Sequence, residues 1–125
     1  DNLHFNLAVQ LLNDKYGIQV RGGCSCAGTY GHILLNVQAD QSCDITTKIN
    51  EGDLTSKPGW VRMSIHPTMT DDDVHYIMNA IKYIAKNHKE LGKDYKYNKA
   101  SNEFRYKEDV YSQKNKVRVK SWFKL

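Results

Sequence analysis

Along the first segment of the chain, Leu3, Leu7, Ala8, Leu11 and Leu12 recur on one helical face, and Gly17 follows where a left-handed residue can end a helix. This spacing predicts a helix over residues 3–16. Ile18, Gln19 and Val20 then alternate into Arg21, the signature of a short strand. Residues 32–37 and 40–51 carry two further helical patterns, the second with Ile45 and Ile49 as its buried pair. Lys57-Pro58-Gly59 breaks the pattern, and Trp60 to Ile65 then predicts a strand that stops at His66-Pro67. Thr70 stands as an N-cap before Asp71, Asp72 and Asp73, acids placed where the helix dipole favours them. Val74, Ile77, Met78, Ile81, Ile84 and Ala85 continue as a helical stripe that ends near Leu91-Gly92. Tyr95 and Tyr97, a polar stretch over 98–102, then Phe104 and Tyr106 predict a β-hairpin, and Val117 with Val119 predicts an edge strand guarded by Lys. The order helix, strand, two helices, strand, helix, hairpin points to an α+β domain. Its expected sheet is small, mostly antiparallel and packed against helices.

At 125 residues the chain holds one core, so a single domain over 1–125 is expected, with 93–125 as a basic hairpin and tail extension. Hydrophobic residues make up 40% and charged residues 26%, which excludes a disordered or collagen-like chain. No apolar run exceeds three residues, far short of the ~18 that a membrane span needs. Three cysteines do not make the even framework of a disulfide scaffold, so a reducing, cytoplasmic setting is expected. The net charge of +4 is unevenly spread. Residues 1–81 carry five Lys/Arg against nine Asp/Glu, while residues 82–125 carry thirteen against five. The basic third has few Arg and no helical stripe of charge, which fits a solvated edge better than a nucleic-acid footprint.

Four of the eight glycines fall within Gly22-Gly23-Cys24-Ser25-Cys26-Ala27-Gly28-Thr29-Tyr30-Gly31. Glycine at this density lets the backbone take unusual angles or lets a ligand approach it, which marks the segment as the candidate site. Cys26 on such a loop is a plausible nucleophile, since nearby guanidinium or backbone N–H groups favour its thiolate. Arg21 and Arg62, one on each expected strand, offer guanidinium forks suited to a carboxylate or phosphate. Cys43, inside a helical pattern, is expected to be a small buried hydrophobe. A metal site on Cys24, Cys26 and His32 is the competing reading, but structural zinc takes four ligands and no second ligand pair is present, so no metal is expected. His4, His75 and His88 sit on or beside helical patterns as surface or boundary residues.

The segment from Gly17 through Gly28, with Tyr30-Gly31-His32, Pro58-Gly59-Trp60-Val61-Arg62 and His66-Pro67-Thr68-Met69-Thr70 following in order, resembles the C-terminal small domain of class V aminotransferases and cysteine desulfurases. These enzymes, selenocysteine lyases among them, use pyridoxal phosphate. The resemblance spans residues 3 to about 90 and implies an α+β small domain that closes over a cofactor held mainly by a separate large domain. It places Cys26 at the cysteine that accepts sulfur from the substrate. It likewise places Arg62, with Arg21 as a second arginine, at the group that holds the amino-acid substrate's carboxylate. An amino acid such as cysteine is then the expected partner, and the intact enzyme is expected to be a homodimer. Cys24 and Ser25 stand where related desulfurases carry histidines. The family's Ser-x-x-His-Lys lysine has no counterpart, so the chain is expected to hold no cofactor and to be inactive alone. The alternative is a free-standing module in which Cys24 and Cys26 form a thiol or metal-binding sulfur carrier.

Overall fold

The first helix, α1 (Phe5–Tyr16), is closed at both ends by specific hydrogen bonds. At its start the Asn6 N–H donates to Nδ1 of His4 at 3.1 Å, so an imidazole serves as the N-cap. At its end Gly17 takes a left-handed φ of 67° and donates its N–H to the Asn13 carbonyl at 3.0 Å. The computed structural model describes residues 3–23 and 28–107. In chain order α1 is followed by β1 (Arg21–Gly23), α2 (Gly28–Leu34), α3 (Ala39–Asn50), β2 (Trp60–Arg62), α4 (Asp71–Leu91), β3 (Tyr95–Asn98) and β4 (Glu103–Tyr106). Over the described residues the molecule is an α+β fold with two antiparallel two-stranded sheets, β1–β2 and β3–β4.

Helix α1 is the hub. Its apolar face buries Leu7, Leu11 and Leu12 against Ala80 and Ile84 of α4 and Tyr95 of β3. Leu11 has no exposed surface at all. The Tyr95 hydroxyl donates to Asp14 at 3.0 Å, and the Asn6 side chain donates to the Asn102 carbonyl in the hairpin turn. Asn102 is buried at a left-handed φ of 55°, and its side-chain oxygen accepts the Tyr97 hydroxyl at 2.8 Å. The hairpin register places Tyr95 opposite Tyr106 and Tyr97 opposite Phe104, the cross-strand aromatic pairs that the period-two pattern predicts.

Helix α4 begins as expected: the Asp73 N–H donates to Thr70 Oγ1 at 3.2 Å and the Thr70 N–H returns to the Asp73 carboxylate at 2.9 Å. The expected stripe splits in two. Ile84 and the unpredicted Ala80 are buried, and Val74 and Ile77 are half-buried, whereas Met78, Ile81 and Ala85 face solvent.

Other boundaries shift for local reasons. Residues 18–20 stay outside the ladder because Ile18 and Val20 pack against the α1–α4 core, so β1 starts only at Arg21. With no partner there, β2 ends at Arg62 instead of running to Ile65. The helix expected at 32–37 lies at 28–34, followed by a turn with Asn36 at φ 52°. Cys43 is exposed, not buried. It lies about 160° around α3 from Ile45, which with Ile49 is half-buried and faces the protein. The Cys24–Cys26 segment and the strand expected at Val117 and Val119 lie outside the described residues. No helix among the described residues is long and apolar enough to cross a membrane.

Candidate functional site

Strands β1 and β2 are antiparallel, with Arg21 opposite Arg62, Gly22 opposite Val61 and Gly23 opposite Trp60. Alternation along a strand sends successive side chains to opposite faces, so this register defines two different surfaces. One face is closed. A Cβ built on Gly22 would lie 2.8 Å from Asn6 Oδ1, and one on Gly59 would lie 2.6 Å from the Phe5 ring. The first turn of α1 therefore rests directly on the backbone of β1 and of the segment entering β2, and only glycine leaves room for it.

The opposite face carries Arg21, Arg62 and Trp60. A Cβ on Gly31 would meet the Trp60 indole at 2.7 Å, so α2 seats its own backbone on that ring. The segment 24–27, which contains Cys26, joins β1 to α2 in sequence. The Gly31–Trp60 contact ties α2 to β2, and the pairing of Trp60 with Gly23 carries that tie on to β1. His32, also on α2, comes within 3.4 Å of Ser42 Oγ on α3 through its Nδ1, which links the two helices.

Arg21 and Arg62 are both exposed, and no ion pair engages either of them among the described residues. Like charges placed directly opposite in an antiparallel pair repel, with side chains rooted about 4.5–5.5 Å apart at Cβ. Two guanidinium forks at that separation can close on one carboxylate, each contributing planar paired N–H donors. The structure brings together the two arginines singled out in the sequence. Cys26 lies outside the described residues, and Cys43 on α3 is a separate exposed thiol. Among the described residues no cluster of His, Cys, Asp and Glu is arranged to hold a metal ion.

Sequence reasoning missed two participants. Trp60 was read only as a strand residue, although an aromatic at the strand start with a glycine in the neighbouring helix hints at a close backbone seat. His4 was read as a surface or boundary residue, yet it is half-buried among Phe5, Tyr97 and Phe104, with ring centroids 4.6, 5.4 and 5.3 Å away. Among the described residues its Nε2 is buried without a hydrogen-bond partner, and desolvation lowers its pKa below that of an ordinary imidazole. Comparison of the chain with protein-family models, with curated proteins and with solved structures returns no match.

Proposed function

We propose that this chain is the small domain of a pyridoxal-phosphate enzyme resembling cysteine desulfurases and class V aminotransferases, in which it supplies a loop cysteine and the arginines that hold the substrate's carboxylate. The observation that carries this reading is the register: Arg21 faces Arg62 across β1–β2, with no carboxylate of the described residues paired to either. A repulsive pair of this kind is a fitting seat for a bound anion, and a single amino-acid carboxylate matches its size and charge.

In this role Arg62 orients the carboxylate and Arg21 adds a second fork, which fixes the substrate relative to the segment between β1 and α2. The two cations also favour the thiolate of Cys26 over its thiol. With cysteine as substrate, the Cys26 thiolate forms a sulfur–sulfur bond to the substrate thiol sulfur. The substrate's Cβ–S bond breaks, its electron pair remains on Cβ and takes up a proton, and alanine leaves while Cys26 keeps the sulfur as a persulfide. When bound, pyridoxal phosphate supplies the electron sink that makes bonds near the amino acid's α-carbon labile.

The test is alanine release from cysteine by the full-length protein loaded with pyridoxal phosphate. Cys26→Ala abolishes release and Cys24→Ala retains it, while Arg62→Lys keeps the charge, loses the fork and raises KM about tenfold or more. Full activity in Cys26→Ala removes the thiol from the reaction. A reading frame that starts near Asp1 favours the free-standing thiol module instead.

A further inference from the structure

The imidazole that caps α1 also belongs to the packing that seats the arginine strands. His4 accepts the Asn6 N–H on Nδ1 at 3.1 Å, so in the neutral ring the proton stands on Nε2, which is buried with no hydrogen-bond partner among the described residues. The ring stacks on Phe5, with centroids 4.6 Å apart and planes 22° from parallel. That same Phe5 ring lies against both strands. A Cβ would stand 3.0 Å from it at Gly22, next to Arg21, and 2.6 Å from it at Gly59, where the chain enters β2. Asn6, whose N–H the imidazole holds, rests its Oδ1 on Gly22 and gives a side-chain N–H to the Asn102 carbonyl in the hairpin turn. One turn of helix thus joins His4 to the backbone that carries Arg21 and Arg62.

The groups around the imidazole are uncharged. From its own helix it meets Phe5 and Asn6, and from β3 and β4 it meets the rings of Tyr97 and Phe104. Tyr97 is the one titratable side chain among them, and its hydroxyl is spent on Asn102. Lys96, Glu103 and Arg105 alternate with Tyr97 and Phe104 along the hairpin, so they face the other side of it, where Glu103 pairs with Arg105 at 3.1 Å. Asp1 lies outside the described residues. Among the described residues, then, no carboxylate holds an imidazolium at this position. A proton on Nδ1 turns the acceptor into a donor and sets it against the Asn6 N–H, which is left without a partner. Burial already biases His4 toward its neutral form.

We propose that His4 is a positioning residue through which pH regulates the arginine seat: with His4 neutral, the capped first turn of α1 holds Arg21 and Arg62 in place for a carboxylate, and with His4 protonated that turn is uncapped and the seat loosens. This regulation presupposes the reading of the two arginines as a carboxylate seat and adds a control on the opposite face of the sheet. Its sign is diagnostic. An imidazolium acting directly through space would strengthen anion binding as pH falls, whereas the route through Asn6, Phe5 and the two glycines weakens it. Linkage makes the effect reciprocal. A carboxylate that favours the neutral form of His4 lowers the pH at which His4 takes up its proton, by the same factor.

Chemical-shift titration of the 125-residue chain with L-alanine at a series of pH values reads both sides of this linkage, with circular dichroism showing at each pH that the helices are intact. The wild-type chain binds alanine at neutral pH and loses affinity about threefold or more as the His4 ring resonances titrate, the factor that loss of a helix cap implies. Saturating alanine moves the His4 midpoint to lower pH by the logarithm of that factor. His4→Asn, which keeps a cap and cannot titrate, binds alanine with an affinity that is flat over the same range. A His4 midpoint that alanine leaves unmoved or raises overturns the proposal, and that result is read on the wild-type chain without any variant having to fold. So does a pH dependence that persists in His4→Asn, carried then by another imidazole such as His32. In both cases alanine binding that is lost in Arg62→Gln leaves the carboxylate seat standing. A chain that binds no alanine at neutral pH removes the seat itself, and the regulation with it.

Discussion

Arg21 and Arg62 occupy facing positions of the antiparallel β1–β2 pair, on the side of the sheet away from α1. Two like charges at facing positions work against the sheet, by roughly 0.2–1 kcal/mol for exposed pairs. Arg62→Gln is therefore expected to leave thermal stability unchanged or slightly raised, while it removes binding of small carboxylates at the sheet. Chemical-shift titration with an amino acid, run beside thermal melts, checks both halves. A clear loss of stability would mean that the guanidinium is held by the fold rather than presented by it.

Gly59→Ala tests the seat of α1. The new methyl would stand 2.6 Å from the Phe5 ring, so either the ring or the strand must move. Overpacking of this kind costs about 1–3 kcal/mol, read as a lower denaturant midpoint with little change in slope. Gly17→Ala provides the contrast. No atom of the described residues lies within 4 Å of its added Cβ, but its φ is +67°, so the cost there comes from backbone strain of about 1 kcal/mol.

His4 predicts a pH dependence with a defined sign. Burial holds its pKa below the ordinary 6.5, so the unfolded chain binds the proton more readily than the folded one. The associated stability is fully present above the unfolded pKa and is lost as pH falls from there through the lowered folded value. Protonation would also deprive the Asn6 N–H of its acceptor on Nδ1. His4→Asn keeps a cap and is expected to flatten stability between pH 7 and the lowered pKa, whereas His4→Ala costs about 0.5–2 kcal/mol even at neutral pH. Asp73 titrates in a separate, more acidic window. Its carboxylate accepts from Thr70 and its pKa is lowered from 3.8, so that stabilisation is present above 3.8 and is lost only as pH falls further.

Among the described residues, Leu11 is the one large side chain with no exposed surface, at the junction of α1, α4 and the hairpin, and Leu11→Ala removes it. A loss of about 2–5 kcal/mol is expected, enough to bring a small domain close to unfolding. Equilibrium urea unfolding measures it.

Much of the architecture was legible because it is local. The α1 stripe with Gly17, the Thr70–Asp73 cap and the paired aromatics around residues 98–102 each carry their signal within a few residues, and each forms where it was expected. What was not legible depends on contacts far along the chain. Arg62 ends its strand because Ile18 and Val20 have turned into the core. Met78 and Ile81 belong to a faultless helical period, yet α1 is narrow enough to cover only the side that bears Ala80 and Ile84. At the candidate site, Arg21 and Arg62 could be picked out by residue type, but that they face one another is a property of strand register. No local pattern encodes it.

The dependence of α1 on distant partners bears on how the chain is made. Asn6 is bonded to a carbonyl 96 residues downstream and Asp14 to a hydroxyl 81 residues downstream. At about 5–20 residues per second, a ribosome needs roughly 5–20 s to deliver those partners after α1 itself has been synthesised. Throughout that interval Leu7, Leu11 and Leu12 have no α4 or β3 to cover them, so α1 is the stretch of this domain on which a chaperone has the longest purchase.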